Sequence, residues 1–179
     1  MKFNDFIRQE RTRQKISKIS LSRMIGSSEG FVSYFETSSY GNTSILRGDS
    51  LCCALGVSYK LGLDEGPGGT PTEIPFMEIL KEEFKKYGNY NKFSQAVGFP
   101  SGTIYHAMNR LNGQENDIRL FTVRDLCKAF GITYVLGSGA NTFLFKKVFS
   151  SMGRQQNIRY KMQGYRNKYN TVDEWLSGN

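Results

Sequence analysis

A chain of 179 residues and 20.3 kDa has room for one or two small domains and little for a large catalytic cleft. Mean hydropathy is -0.46 and no run of about 18 apolar residues occurs, which excludes a membrane-spanning helix; the start, Met1 to Phe6, lacks the basic and long apolar regions of a secretory signal, so the expected location is the cytoplasm. Lys and Arg number 24 against 16 Asp and Glu, a net charge of +8 that suits a polyanionic partner.

The charge is unevenly spread. Residues 1–63 carry nine basic and five acidic side chains (net +4), 64–139 carry eight and nine (net -1), and 140–179 carry seven and two (net +5). The chain also repeats itself: LCCALGVSYKLG at 51–62 and LCKAFGITYVLG at 126–137 agree at seven of twelve positions with an offset of 75. Upstream, at an offset of 72, Leu21-Ser22 faces Phe93-Ser94, Ile25-Gly26 faces Val97-Gly98, and Gly30-Phe31-Val32 faces Gly102-Thr103-Ile104. The extra three residues fall in a longer loop at 112–120. Two homologous modules, 1–63 and 76–137, are therefore expected, with 64–75 (DEGPGGTPTEIP) as a linker kept irregular by its Gly and Pro, and 138–179 as an extension.

In chain order, Phe3, Phe6 and Ile7 predict a short amphipathic helix. Ser17 is a candidate cap for a second helix through Leu21, Met24 and Ile25, ended by Gly26. After a tight turn, Ser27 or Ser28 is expected to cap a third helix with Phe31, Val32 and Phe35 turned inward, and Asp49–Leu55 closes a bundle of about five short helices. The segments VSYKLG and ITYVLG are β-branched and aromatic enough for a strand, with a continued helix or a loop as the alternatives. In the second module Pro100 fits the first position of a helix, where no amide donor is needed.

From Ser17 to Glu36 the string SKISLSRMIGSSEGFVSYFE, followed by Leu51–Val57, resembles the DNA-binding domain of the lambda-repressor/Cro family, the xenobiotic-response-element-like regulators found on phages and mobile elements. The shared features are a capping serine, a glycine at the turn, a Val-Ser pair in the recognition helix, a glutamate at its end and an L-x-x-A-L-G-V closing helix. The resemblance implies a mainly α fold: two tandem five-helix helix-turn-helix modules, with a small basic C-terminal α/β extension. It covers nearly all of module one and, more weakly, module two, which has Met108 where the terminal glutamate would be.

A helix-turn-helix sends its second helix into a major groove about 12 Å wide. By this resemblance Ser28, Glu29, Gly30, Ser33 and Tyr34 face the base edges of double-stranded DNA, while Ser17, Lys18, Arg23, Tyr40, Asn42 and Arg47 hold phosphates. This surface lacks the Gln, Asn and Arg that make bidentate base contacts, so phosphate contacts should dominate. The equivalent surface of module two comprises Ser101, Tyr105, His106, Asn109 and Arg110. Because that module is nearly neutral, a second DNA reader and a protein-pairing surface both stay open for it.

In the extension, Phe143, Leu144, Val148 and Phe149 form an apolar helical stripe. Beyond it Arg154, Arg159, Lys161, Arg166 and Lys168 interleave with Tyr160, Tyr165 and Tyr169, a pattern that can clamp phosphates and stack on bases, or form a hairpin turning at Gly164. Cys52, Cys53 and Cys127 are too few for a disulfide framework and read as reduced, buried thiols; His106 has no partner ligands, so no metal or other cofactor is expected. No phosphate loop, nucleophile elbow or HExxH motif occurs, and an enzyme is not expected. Two functional classes remain. One is a transcriptional regulator, a repressor whose two modules act as a pseudo-dimer. The other is a phage-encoded inhibitor of the anti-CRISPR type, which reuses the scaffold to bind a CRISPR nuclease and its own promoter. No membrane partner is expected, and a homodimer stays open.

Overall fold

The computed structural model describes residues 1–38, 41–100, 102–105 and 118–141. The fold is mainly helical with one small sheet. Helices α1 (Phe3–Arg13), α2 (Lys18–Met24), α3 (Phe31–Thr37) and α4 (Ile45–Leu55) are followed by β1 (Tyr59–Gly62) and β2 (Gly66–Pro67). Then come α5 (Phe76–Tyr87), α6 (Tyr90–Ala96), a helical turn at 102–105, α7 (Leu120–Phe130) and β3 (Thr133–Leu136).

Among the described residues of 1–63 there are thus four helices rather than five, and the segment after the closing helix is a strand. Burial follows the apolar stripes. Phe3, Phe6 and Ile7 of α1, Leu21 of α2, Val32 and Phe35 of α3, and Leu51, Cys52 and Leu55 of α4 are buried together. Each large side chain so placed contributes about 1.5–3 kcal/mol. Phe76, Leu80, Phe93, Ile104, Val123 and Leu126 play the same part in the second half, and the two sets form one continuous core.

That continuity comes from the sheet, whose strand order is β2-β1-β3. The last strand of the first half pairs antiparallel with the last strand of the second, Tyr59 opposite Leu136, Lys60 opposite Val135, Leu61 opposite Tyr134 and Gly62 opposite Thr133. The helices before them meet as well: Ile45 N donates to Ile118 O and Leu120 N to Thr43 O, both at 2.8 Å. Gly62 (φ 111°) and Gly137 (φ 112°) sit where the chains come closest. A Cβ on Gly62 would collide with the Ile132 carbonyl, and one on Gly137 with the Val57 carbonyl. Only glycine offers both the left-handed backbone and the missing Cβ that these two positions demand.

Residues 64–75 are more ordered than a linker of that composition suggests. Gly66–Pro67 pairs with β1 as β2, and Thr72 occupies the opposite edge, where Thr72 N donates to Val135 O and Val135 N to Thr72 Oγ1, each at 3.0 Å. Tyr134 Oη then donates to Ile74 O at 3.0 Å. Gly and Pro prevent a long regular strand, but backbone groups lying against a sheet still find partners there.

Candidate nucleic-acid interface

Ser17 caps α2 as expected: its Oγ accepts from Ser20 N at 3.0 Å. Gly26, at φ 64°, ends the helix, its N–H bonded to Arg23 O at 3.0 Å. Neither Ser27 nor Ser28 caps α3; the cap position belongs to Gly30, and no side chain bonds there. Ser28 contributes its carbonyl instead, accepting from Phe31 N at 2.9 Å. The start of α3 is held by a residue known from the sequence only as a repeat position. Ser22, fully buried on α2, accepts from Val32 N through its Oγ at 3.0 Å. Its signal was present in the repeat, where Ser22 is matched by Ser94, and both prove fully buried.

The far end of α3 is held by charge. Glu36, 1% exposed, accepts two bonds from Arg11 of α1, Nε to Oε1 at 2.6 Å and Nη2 to Oε2 at 3.0 Å. Arg11 Nη1 also donates to Ile16 O at 2.8 Å, and Lys18 Nζ stands 3.8 Å from Glu36 Oε2. A planar guanidinium and a carboxylate match bidentately, which lets a buried charge survive. The Glu36 hydrogen bond raises the Arg11 pKa above its ordinary value.

With both ends fixed, α3 turns Val32 and Phe35 inward and Ser33 and Tyr34 outward, as the helical phase predicted. Tyr34 is 76% exposed, and Ser28, Glu29 and Gly30 are exposed beside it. Phe31 is only half-buried, stacked on Phe35 at 5.9 Å between ring centres. The Arg47 guanidinium lies over the Phe31 ring, 4.9 Å from its centre.

The expected phosphate contacts have additional duties. Arg23 donates from Nε to Glu29 Oε1 at 3.0 Å and from Nη2 to the same oxygen, so the carboxylate lies against the cation expected to meet DNA. Ser17 and Arg23 are exposed, and Lys18 is half-buried beside Glu36. Asn42 is half-buried and turned to the seam between the halves, its Oδ1 accepting from Phe121 N at 3.4 Å. Tyr40 lies outside the described residues.

The second half repeats several of these local bonds. Asn89 caps α6 in place of Ser17, its Oδ1 accepting from Lys92 N at 2.8 Å. Gly98 (φ 72°) stands for Gly26; Phe99 N donates to Ser94 O as Ser27 N does to Ser22 O, both at 2.9 Å; and Thr103 N donates to Pro100 O as Phe31 N does to Ser28 O. Tyr105 is exposed, its ring edge-on to Tyr90 at 5.4 Å. Ser101, His106, Asn109 and Arg110 lie outside the described residues, as do Arg154, Arg159, Tyr160, Lys161, Tyr165, Arg166, Lys168 and the apolar stripe before them. The exposed side of α5 carries Glu78–Lys81, Glu82–Lys85 and Glu83–Lys86 pairs, so its charges balance in place.

Cys52 and Cys127 are fully buried, and desolvation pushes the Cys127 thiol up to about 12 and Cys52 upward as well. Cys53, by contrast, is exposed, since the next position round the helix points away from the side that buries Cys52. Among the described residues no group of three or more His, Cys, Asp or Glu side chains is gathered as a metal would need. No helix among them is long and apolar enough to cross a membrane. A cavity of about 320 Å³ opens at the seam between Phe3, Leu61, Leu120 and Phe121, with Lys2 and Arg124 at its wall. No family model, curated protein or solved structure matches this chain.

Proposed function

We propose that the chain is a DNA-binding transcriptional regulator, a repressor of phage or mobile-element type, built from two tandem helix-turn-helix modules. The observation that carries this reading is the capped α2–turn–α3 unit, pinned by Ser22 at one end and Glu36 at the other. Its exposed Ser33–Tyr34 face is free of core duty. A rigid short helix projecting polar side chains is what entry into a major groove requires. Arg23 and Ser17 flank that helix, where phosphates would run.

A gel-shift titration of the full chain on duplex DNA across a salt series tests the reading. Binding that weakens linearly on a log-log salt plot supports it, with a slope near -0.9 for each phosphate contact. No duplex binding at low salt overturns it. A second reading, a protein-directed inhibitor of the anti-CRISPR type, draws support from the Arg23–Glu29 pair, which offsets positive charge at the expected DNA surface. Loss of DNA cleavage by a purified CRISPR nuclease on adding the chain would favour that class.

A further inference from the structure

The seam between the two halves obeys a twofold relation that the sequence offset alone does not require. Residues 75 apart are repeat equivalents, and at the seam each contact recurs with its partners exchanged. Tyr59 faces Leu136 while Leu61 faces Tyr134, and Lys60 faces its own equivalent, Val135. Ile45 N bonds Ile118 O while Leu120 N bonds Thr43 O, and between them Ser44 bridges its own equivalent, Arg119. Gly62 approaches the Ile132 carbonyl as Gly137 approaches that of Val57. Two self-paired positions, Ser44/Arg119 and Lys60/Val135, mark a local axis. This is the exchange of contacts found in an isologous dimer, here within one chain.

The interface is also closed. One edge of β1 takes β3 and the other takes β2, a strand of two residues ending in Pro67, which has no N–H to offer. The outer edge of β3 is occupied by Thr72. Among the described residues, the strand surface through which a homodimer of single modules would form is already used up internally.

The geometry points to a single chain as the complete DNA-reading unit, one chain per site, recognising a duplex whose two half-sites differ in sequence. This rests on the DNA-binding reading above. A twofold operation preserves direction along its axis, so if the relation seen at the seam extends to the readers, α3 and the helical turn at 102–105 face the same end of it. Their readers nevertheless differ. Module one presents Ser33 and Tyr34 beside a paired Arg23–Glu29, whereas the position of Ser33 holds the exposed Tyr105 in module two. Symmetric placement with unlike side chains selects an unlike pair of half-sites, whereas a homodimer of identical readers selects a palindrome.

The test has two arms. Analytical ultracentrifugation of the full chain should give the mass of one chain at micromolar concentration; a stable dimer overturns the inference without touching the DNA-binding reading. Selection from a randomised 40-base-pair duplex library, followed by native mass spectrometry, should give a 1:1 complex on a bipartite, non-palindromic site. Tyr34→Ala should then blur one half of the selected motif and Tyr105→Ala the other. A palindromic motif, a 2:1 complex, or both substitutions acting on the same half would overturn the inference while leaving DNA binding intact. A library from which nothing is enriched would remove the DNA-binding reading and this inference with it.

Discussion

The Arg11–Glu36 clamp lends itself to a quantitative test, because one partner is almost fully buried and the other nearly so. Glu36 is 1% exposed and Arg11 12%, with donor–acceptor separations of 2.6 and 3.0 Å. At about 3 Å and an effective dielectric near 20, the bare attraction is about 5 kcal/mol before desolvation is charged against it. Removing only Arg11, as in Arg11→Met, strands a carboxylate inside the bundle; the expected destabilisation is about 3–5 kcal/mol, since Lys18 at 3.8 Å compensates little. In a chain of this size that is a fall in Tm of about 6–20 °C. Denaturant melts of Arg11→Met, Glu36→Gln and the double variant close the cycle, and the double variant should be more stable than the sum of the singles predicts, by about 2 kcal/mol or more. Singles within about 1 kcal/mol of the parent, or additive effects, would refute the clamp as the support that orients α3.

Three further outcomes are expected. Tyr34→Ala should leave the denaturation midpoint within about 0.5 kcal/mol of the parent, whereas Phe35→Ala should cost about 3–5 kcal/mol; a reversed order in chemical denaturation would show the phase of α3 to be wrong. Glu29→Gln uncouples Arg23 and removes a carboxylate from the proposed phosphate path, so duplex affinity in a gel shift should rise at low salt with a steeper salt dependence; weaker binding would mean that Glu29 itself contacts DNA. Burial holds the Cys127 thiol near 12 against about 9 when unfolded, so the unfolded chain loses this proton first as pH rises. The Cys127 contribution to stability is therefore level below about pH 9 and declines between pH 9 and 12, and Cys127→Ala should shrink the alkaline decline in melts read against pH. A decline of equal size in the variant would exclude Cys127 as its source.

Local features were legible because they depend on neighbours in sequence. Ser17 as a cap, Gly26 as a stop, and the inward turn of Val32 and Phe35 all follow from residues within one or two helical turns. The expected cap at Ser27 or Ser28 failed for the complementary reason: Ser22, ten residues before Val32, reached the start of α3 first. Cys53 was misread as buried because it was grouped with Cys52, although adjacent helix positions point about 100° apart. The proposed site was legible as a face, but not as an electrostatic surface, since the engagement of Arg23 by Glu29 and of Arg47 by Phe31 depends on how side chains fold back.

By itself the sequence determined that this chain carries an internal repeat rich in short helical patterns, with matched turn glycines and closing segments 72 to 75 residues apart. What only the tertiary structure decided is how the copies meet. Nothing in VSYKLG or ITYVLG says which edge will pair with which, because a strand's composition reports its fit to a half-buried pleat and not its partner. That partner is chosen by contacts remote in sequence: glycines at 62 and 137 that let each strand approach the other copy's backbone, a linker whose Gly66–Pro67 and Thr72 close both outer edges, and a bridge from Ser44 to Arg119. These turn a tandem repeat into a single closed core, because the hydrogen bonds left open by each half are satisfied by the other half or by the linker joining them.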